Sequence, residues 1–380
     1  MKPKILYTVI DGEITGGNMI CLKIIEEALR RNNKVIVNSP AEGKFTYILR
    51  EKGIKVYNIN TRRTFRLDNA VRLAQIIKKE GINLVHSHTP LGGMVLSRLG
   101  GWMAGVPVIT HAHIQDFMNQ NPLVRRYQFL LNWFTSKFFC AKIIAVSEGV
   151  RKEIIKEGAV ANKIAVIYNG VDLDNASYNK SSVEIRKEFG LKENQCIIGE
   201  IARLCKNKGQ DILIKVAQRV IKKNPDTVFM IVGEDLEQRG DYEKNLKRLA
   251  NDLGVTQNII FTGYRSDIMD LMRAFDLFVL PSSAVEGLAV VILEAMAAKR
   301  PVITTLVGGN PEIVVDTETG TIVPQGDPDK LAEAIIYHLK NPGISKNMGE
   351  KGYDRAKRYF SLSQMLDKIM DIYEEVLRRR

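Results

Sequence analysis

Cys196-Ile197-Ile198-Gly199-Glu200-Ile201-Ala202, then Arg203-Leu204-Cys205-Lys206-Asn207-Lys208-Gly209, then a helical run from Gln210, is the stretch whose reading decides the fold. A short apolar run, a polar basic loop and a helix make up the βα half of a parallel unit. The loop's cations therefore stand at the C-terminal end of a strand, where open α/β sheets bind ligands. Arg203 can grip a phosphate bidentately, and Lys208, five residues on, can act as a point charge, so the pair suits a diphosphate.

Outward from this stretch the pattern repeats in both directions. Strand-like runs at Ile5–Ile10, Val35–Val37, Val56–Ile59, Leu84–His86, Val108–Thr110, Ile143–Val146 and Ile164–Ile167 alternate with helical runs. A second series follows Asn169-Gly170-Val171-Asp172: Ile197–Ile201, Val228–Val232, Ile259–Phe261, Leu277–Leu280, Val302–Thr304 and Thr321–Val323. Repeated βαβ implies parallel doubly wound sheets. At 380 residues the chain exceeds one ordinary core, so two Rossmann-like domains are expected, 1–176 and 177–361, joined by the polar segment Asp172 to Ser182. The cleft between such domains is the natural place for a site. Closing helices are read around Lys330–Leu339 and Gln364–Leu377.

The bulk numbers exclude several classes. Hydrophobic content of 45% and charged content of 26% are those of a globular protein. Cys21, Cys140, Cys196 and Cys205 have no metal spacing and read as reduced thiols in a cytoplasmic protein. Lys2 and Lys4, followed by the brief run Ile5 to Ile10 and Asp11, make too short a secretory signal. The longest uncharged stretch, Leu99 to Gln115, is 17 residues long and contains Pro107, so no membrane span is read. Residues 1–176 hold 25 Lys and Arg against 14 Asp and Glu, a net of +11 out of +12 for the whole chain. Such asymmetry suggests an anionic partner for the first half, either the inner membrane face or a lipid-phosphate acceptor, against the plainer reading that it keeps the protein soluble.

A second stretch adds chemistry. Glu286-Gly287-Leu288-Ala289-Val290-Val291-Ile292-Leu293-Glu294 sets two carboxylates eight positions apart, and Gly287 is read as opening an apolar helix. Glu286 can then accept from sugar hydroxyls, Glu294 from a ribose diol, and the first-turn N–H groups of Gly287, Leu288 and Ala289 can face a phosphate. The first loop, Asp11 to Asn18, lacks both G-x-G-x-x-G and a Walker lysine, so a dinucleotide or ATP site is not supported.

With these motifs the chain resembles the large retaining glycosyltransferase family 4 (glycosyl transferases group 1), of GT-B fold. The likeness rests on Gly16-Gly17, His111, Arg203 with Lys208, Phe261-Thr262-Gly263-Tyr264, Pro281-Ser282, Glu286 with Glu294, and Gly308-Gly309-Asn310-Pro311-Glu312. It implies a metal-independent enzyme that moves a hexose from a nucleoside diphosphate, most simply UDP, to a glycan or lipid-linked acceptor. It further implies that Gly16 and Gly17 approach the donor and that His111 contacts the transferred sugar. Gly263, Tyr264 and Arg265 would hold the base, and a final helix, 362–380, would cross back onto the first domain. Val232-Gly233-Glu234-Asp235 departs from the family's commoner Gly-x-Gly and leaves Glu234 and Asp235 unassigned.

Three further segments stand out. His86, His88, His111 and His113, with Asp116 nearby, bring a metal site to mind, but the two pairs fall on different strands without consistent ligand spacing, and no metal is expected. Asn121 to Cys140 is crowded with aromatic and aliphatic residues on too many faces for a plain surface helix; core packing is the favoured reading, against the alternative that part of it meets an acceptor or a membrane. Thr61-Arg62-Arg63-Thr64-Phe65-Arg66 cannot be core, and Arg62, Arg63 and Arg66 are read as facing the acceptor. Two rivals remain: a GT-B-type sugar-nucleotide epimerase, for which no acid/base carboxylates are found, and a non-enzymatic binder of anionic polymers. Nucleic acid is not an expected partner, because no aromatic stacking platform accompanies the basic charge.

Overall fold

The computed structural model describes residues 2–61, 66–114, 121–173, 179–236, 238–284 and 286–378. It divides into two compact units, Met1–Asn169 with Ser363–Arg380, and Gly170–Leu362. The divide falls at Asn169/Gly170 rather than after residue 176. Val171 pairs there with Ser361, giving N–H to the Phe360 carbonyl and accepting from Leu362 within the second unit.

Unit 1 holds a seven-stranded sheet: β1 (Lys4–Val9), β2 (Lys34–Asn38), β3 (Lys55–Tyr57), β4 (Leu84–His88), β5 (Val108–Ala112), β6 (Lys142–Ala145) and β7 (Ile164–Val166). Unit 2 holds six: β8 (Cys196–Ile201), β9 (Thr227–Val232), β10 (Ile259–Gly263), β11 (Leu277–Leu280), β12 (Val302–Thr305) and β13 (Thr321–Val323). The strand orders are β3-β2-β1-β4-β5-β6-β7 and β10-β9-β8-β11-β12-β13, parallel throughout. Both orders reverse at the middle, between β1 and β4 and between β8 and β11. These are the switch points at which loops diverge and leave room for a ligand.

Helices cover both faces, so the central strands are apolar on both sides; β9 is buried at every position. In unit 2 the core joins Ile198, Phe229, Ile231, Val279 and Ile303 of the sheet to Leu213, Val216 and Val220 of helix Gln210–Lys223. Helix Leu362–Arg378 belongs to unit 1, where Ile369, Tyr373 and Val376 are buried. The stretch left unread between the two closing helices is itself a helix, Pro342–Tyr359.

Helix Pro122–Phe139 corrects the core-packing reading. Its buried residues are polar, Asn132, Thr135 and Ser136, while Leu123, Leu130, Phe134 and Phe138 are exposed. The cause is Arg98, a buried guanidinium from helix Leu91–Ala104. It donates to Asn132 Oδ1 at 2.8 Å, Thr135 Oγ1 at 3.1 Å and Thr110 Oγ1 at 3.2 Å. A buried cation requires such acceptors, so the polar face must turn inward. Among the described residues, no helix is long and apolar enough to cross a membrane.

Candidate functional site

At the switch point of unit 2, the loops leaving β8, β11 and β12 knit together. Ser283 N–H donates to the Asn207 carbonyl at 2.9 Å, and Gly309 N–H donates to the Glu286 carbonyl at 3.0 Å. Two glycines make this approach possible. Gly209 lies at φ +79°, and a Cβ on it would stand 2.1 Å from the Pro281 carbonyl oxygen; Gly308, at φ +50°, would meet the Glu286 carbonyl at 1.7 Å.

These contacts converge Lys208 with Glu286. Lys208 Nζ lies 2.6 Å from Glu286 Oε1, and Ser282 Oγ donates to the same oxygen at 2.6 Å. Arg203 is exposed at the head of the same loop. Its carbonyl accepts from Gln210 Nε2 at 3.2 Å, and that amide also donates to Glu200 Oε1 at 2.9 Å. Glu200 is fully buried on β8, and burial pushes its carboxyl well above the usual range. Ser282 carries part of the family likeness but was given no role in the sequence, and Gln210 and Glu200 were not singled out there. A carboxylate inside an otherwise apolar strand is the signal that could have found the last.

The Glu286–Glu294 segment differs from its sequence reading. The helix is Val290–Ala297 with Ala289 at its cap, so Gly287 and Leu288 precede it. Residues 286 and 287 pack instead on the glycine turn, where a Cβ on Gly309 would come within 2.2 Å of the Gly287 carbonyl. That contact takes the place of a first helical turn. Leu288 and Ala289 are buried, and Glu294, partly buried on the helix, has its carboxyl pushed up to about 7 by desolvation.

Among the neighbouring residues, Arg265 and Asp235 have other engagements. Gly263 ends β10 at φ +71° and Tyr264 is half-exposed. The Arg265 guanidinium is held by Asp267 at 2.8 and 2.6 Å and by Glu188, and stands over the Phe189 ring. Asp235 accepts the backbone N–H groups of Gln238, Gly240 and Tyr242, closing the turn into helix Asp241–Asp252.

In unit 1 the histidines correct the spacing argument. The parallel pairing of β4 with β5 sets His86 beside Ile109 and brings all four imidazoles into one array. His111 stacks on His113 with centroids 4.5 Å apart and 6° between planes, and His86 and His88 are 4.2 Å apart. A hydrogen-bonded line runs from Tyr7 through Tyr373 to His86 Nδ1 at 2.6 Å, on to His88 Nε2 at 3.4 Å, and from His88 Nδ1 to His113 Nε2 at 2.8 Å. Burial holds His86, His88 and His111 well below their usual pKa and lowers His113 to about 4, so the array is neutral at physiological pH. His86, His88 and His111 each offer a ligand atom within 4.8 Å of the others. The bonds to Tyr373 and His113 already engage two of those rings.

Gly16 and Gly17 are not loop residues; they form the first turn of helix Gly16–Arg30, capped by Thr15. Gly17 lies over the His113 ring, which a Cβ would meet at 3.4 Å. Arg66 caps helix Leu67–Glu80 and chelates Asp68 at 2.9 and 3.0 Å. Arg62, Arg63 and Asp116 lie outside the described residues.

Known proteins share this architecture. Residues 14–175 match the family model for Glycosyltransferase Family 4, and residues 181–355 that for Glycosyl transferases group 1. The chain therefore belongs to the family 4, group 1 glycosyltransferases of GT-B type, and is a transferase. Among its relatives is a putative glycosyltransferase, EpsD, of Bacillus subtilis, 31% identical over 80% of this chain and 79% of the relative. Another is the Escherichia coli UDP-Gal:alpha-D-GlcNAc-diphosphoundecaprenol alpha-1,3-galactosyltransferase, 29% identical over 82% and 80%. The crystal structure of Anabaena HepE in complex with UDP and glucose superposes with a TM-score of 0.86 and 26% identity, covering 98% of this chain and all of that one.

Proposed function

We propose that the chain is a retaining, metal-independent hexosyltransferase that uses a UDP-sugar and a glycan or lipid-linked acceptor in cell-surface polysaccharide or glycolipid synthesis. The observation that carries this reading is the convergence of Lys208, Glu286 and Ser282 at the switch point of unit 2. The bound ligands of HepE and the lipid-diphosphate acceptor named for the E. coli relative support the choice of donor and acceptor.

In this reading the C1–phosphate bond breaks and the leaving diphosphate gathers charge beside Arg203 and Lys208, without a metal. The acceptor oxygen bonds to C1 from the same face, and its proton passes to the departing phosphate. Glu286 Oε1 is engaged by Lys208 and Ser282, which leaves Oε2 to accept from sugar hydroxyls. Glu294 takes the ribose, and Gly263, Tyr264 and the backbone near Arg265 take the base. The resemblance assigns Gly16, Gly17 and His111 to the transferred sugar, and Arg62, Arg63 and Arg66 to the acceptor.

Calorimetry with UDP and GDP, followed by donor hydrolysis with UDP-glucose, UDP-galactose, UDP-N-acetylglucosamine and GDP-mannose, tests this. UDP should bind more tightly than GDP, and one UDP-sugar should release UDP. Tighter binding of GDP overturns the donor choice, and interconversion of free sugar nucleotides without transfer favours an epimerase. Proton NMR of the glycoside formed reads the anomeric outcome, and an inverted linkage refutes retention.

A further inference from the structure

The imidazoles of unit 1 use only part of their bonding capacity. His111, buried on β5, forms a hydrogen bond through neither ring nitrogen, and His86 Nε2 and His113 Nδ1 also lack a protein partner. Burying a polar atom unpaired is costly, so each such atom in a native fold calls for a reason. The bonds that do form run through Nδ1 of two rings. His86 Nδ1 meets the Tyr373 hydroxyl at 2.6 Å and His88 Nδ1 meets His113 Nε2 at 2.8 Å, while His88 Nε2 has only a 3.4 Å contact with His86 Nδ1. His86 and His88 can therefore each present Nε2, and His111 either nitrogen.

We propose that His86, His88 and His111 form a binding site for one late first-row divalent ion, with Zn²⁺ as the type case. Each residue offers a ligand atom within 4.8 Å of the others. A tetrahedral ion about 2.0–2.1 Å from three nitrogens sets them roughly 3.4 Å apart, a closure within reach of side-chain rotation. An all-imidazole ligand set selects zinc, copper or nickel over magnesium, calcium or manganese, which prefer oxygen. The bonds already in place match the outer shell of such a centre, in which a ligating imidazole donates its other N–H. With Nε2 on the ion, His86 Nδ1–H donates to the Tyr373 hydroxyl, which donates in turn to Tyr7 at 3.1 Å, and His88 Nδ1–H donates to His113. Water or hydroxide takes the fourth position, and His113, only partly buried, marks the side nearest solvent. The ion has no part in the transfer step proposed above. Because it binds His111, the ion and the transferred sugar exclude each other, a consequence that rests on that reading whereas the site itself does not.

The full chain, free of any affinity tag and stripped with EDTA before dialysis, is titrated calorimetrically with Zn²⁺ and with Mg²⁺. One Zn²⁺ should bind per chain and Mg²⁺ should not. Co²⁺ in its place should show the visible bands of a four-coordinate nitrogen and oxygen site, without the near-ultraviolet charge-transfer band that any of the four cysteine thiolates would add. His86→Gln and His111→Gln should each weaken Zn²⁺ binding by roughly a hundredfold or more, and Tyr373→Phe, which keeps all three ligands and removes an outer bond, by about tenfold. His338→Gln changes the fifth histidine, in unit 2, and should leave binding as it was. Should the buried histidine variants fail to fold, the Co²⁺ spectrum and Tyr373→Phe decide. No Zn²⁺ binding, a thiolate band, equal binding of Mg²⁺, or undiminished binding by the folded ligand variants or by Tyr373→Phe overturns the proposal. Inhibition of transfer by Zn²⁺ that EDTA reverses supports both the site and the role of His111. Zn²⁺ that binds through these histidines yet leaves transfer unchanged upholds the site and removes His111 from the sugar.

Discussion

The stacked imidazoles of unit 1 give it a definite response to acid. His86, His88 and His111 are held well below their ordinary 6.5 by burial and His113 is lowered to about 4, whereas the same side chains in the unfolded chain protonate near 6.5. The unfolded state therefore binds more protons as the pH falls through 6.5. Stability is whole above that value and is lost below it, toward the folded-state pKa values. At pH 5.5 each group that stays neutral in the fold costs about 1.4 kcal/mol, so four together cost about 6 kcal/mol, a large part of a domain's usual 5–15 kcal/mol. Unit 2 responds in the opposite sense. Burial raises Glu200 well above its usual range and Glu294 to about 7, so both favour the fold more strongly as the pH falls toward 4.5, against one opposing histidine, His338, lowered to about 4. Urea unfolding at pH 7.5, 6.5 and 5.5 separates the two, because both tryptophans lie in unit 1 while circular dichroism sees both units. The fluorescence midpoint should fall with pH and the dichroism transition should become biphasic. A fluorescence midpoint that stays put between pH 7.5 and 5.5 would refute the neutral array.

Arg203→Ala and Lys208→Ala should each lower kcat by roughly 10²-fold, the scale of losing a preorganised electrostatic contact; an unchanged kcat in steady-state assays removes that residue from the mechanism. Arg265→Ala should lower the melting temperature, because its guanidinium ties Asp267 and Glu188, while UDP affinity by calorimetry stays within a few-fold. Transfer should persist in excess EDTA after dialysis, and loss of activity restored by Mg²⁺, Mn²⁺ or Zn²⁺ would contradict a metal-independent site. Gly209→Ala should destabilise unit 2 by at least about 2 kcal/mol in the dichroism transition, since the residue is left-handed and its Cβ would enter the Pro281 carbonyl.

The strands were legible because most are short apolar runs bounded by turn residues, and the central ones, such as β1, β9 and β11, are buried on both faces. Helix Pro342–Tyr359 was not, because Gly343, Gly349 and Gly352 weaken its pattern. Gly349 and Gly352 are set by neighbours the sequence does not display: a Cβ on Gly349 would strike the Lys299 carbonyl at 2.3 Å, and one on Gly352 would press on Met296 at 3.3 Å. At the site, residue types pointed to Lys208 and Glu286 separately, but their direct pairing depends on the close approach of two loops 78 positions apart. The histidine array stayed hidden for a similar reason. Its members are neighbours only through the β4–β5 register, which periodicity within one strand cannot reveal.

Unit 1 is closed by a helix that follows the whole of unit 2 in the chain. Tyr373 bonds His86 and, with Ile369 and Val376, fills a cover that residues 1–169 cannot provide. On the ribosome, the first sheet must therefore wait while the whole of unit 2 is synthesised, roughly 10–40 s at usual elongation rates. During that interval the His86 face is open to water and its imidazoles can protonate near their ordinary pKa. Docking of helix Leu362–Arg378 would return any such proton to water, so dehydration of the histidine array is set by chain order.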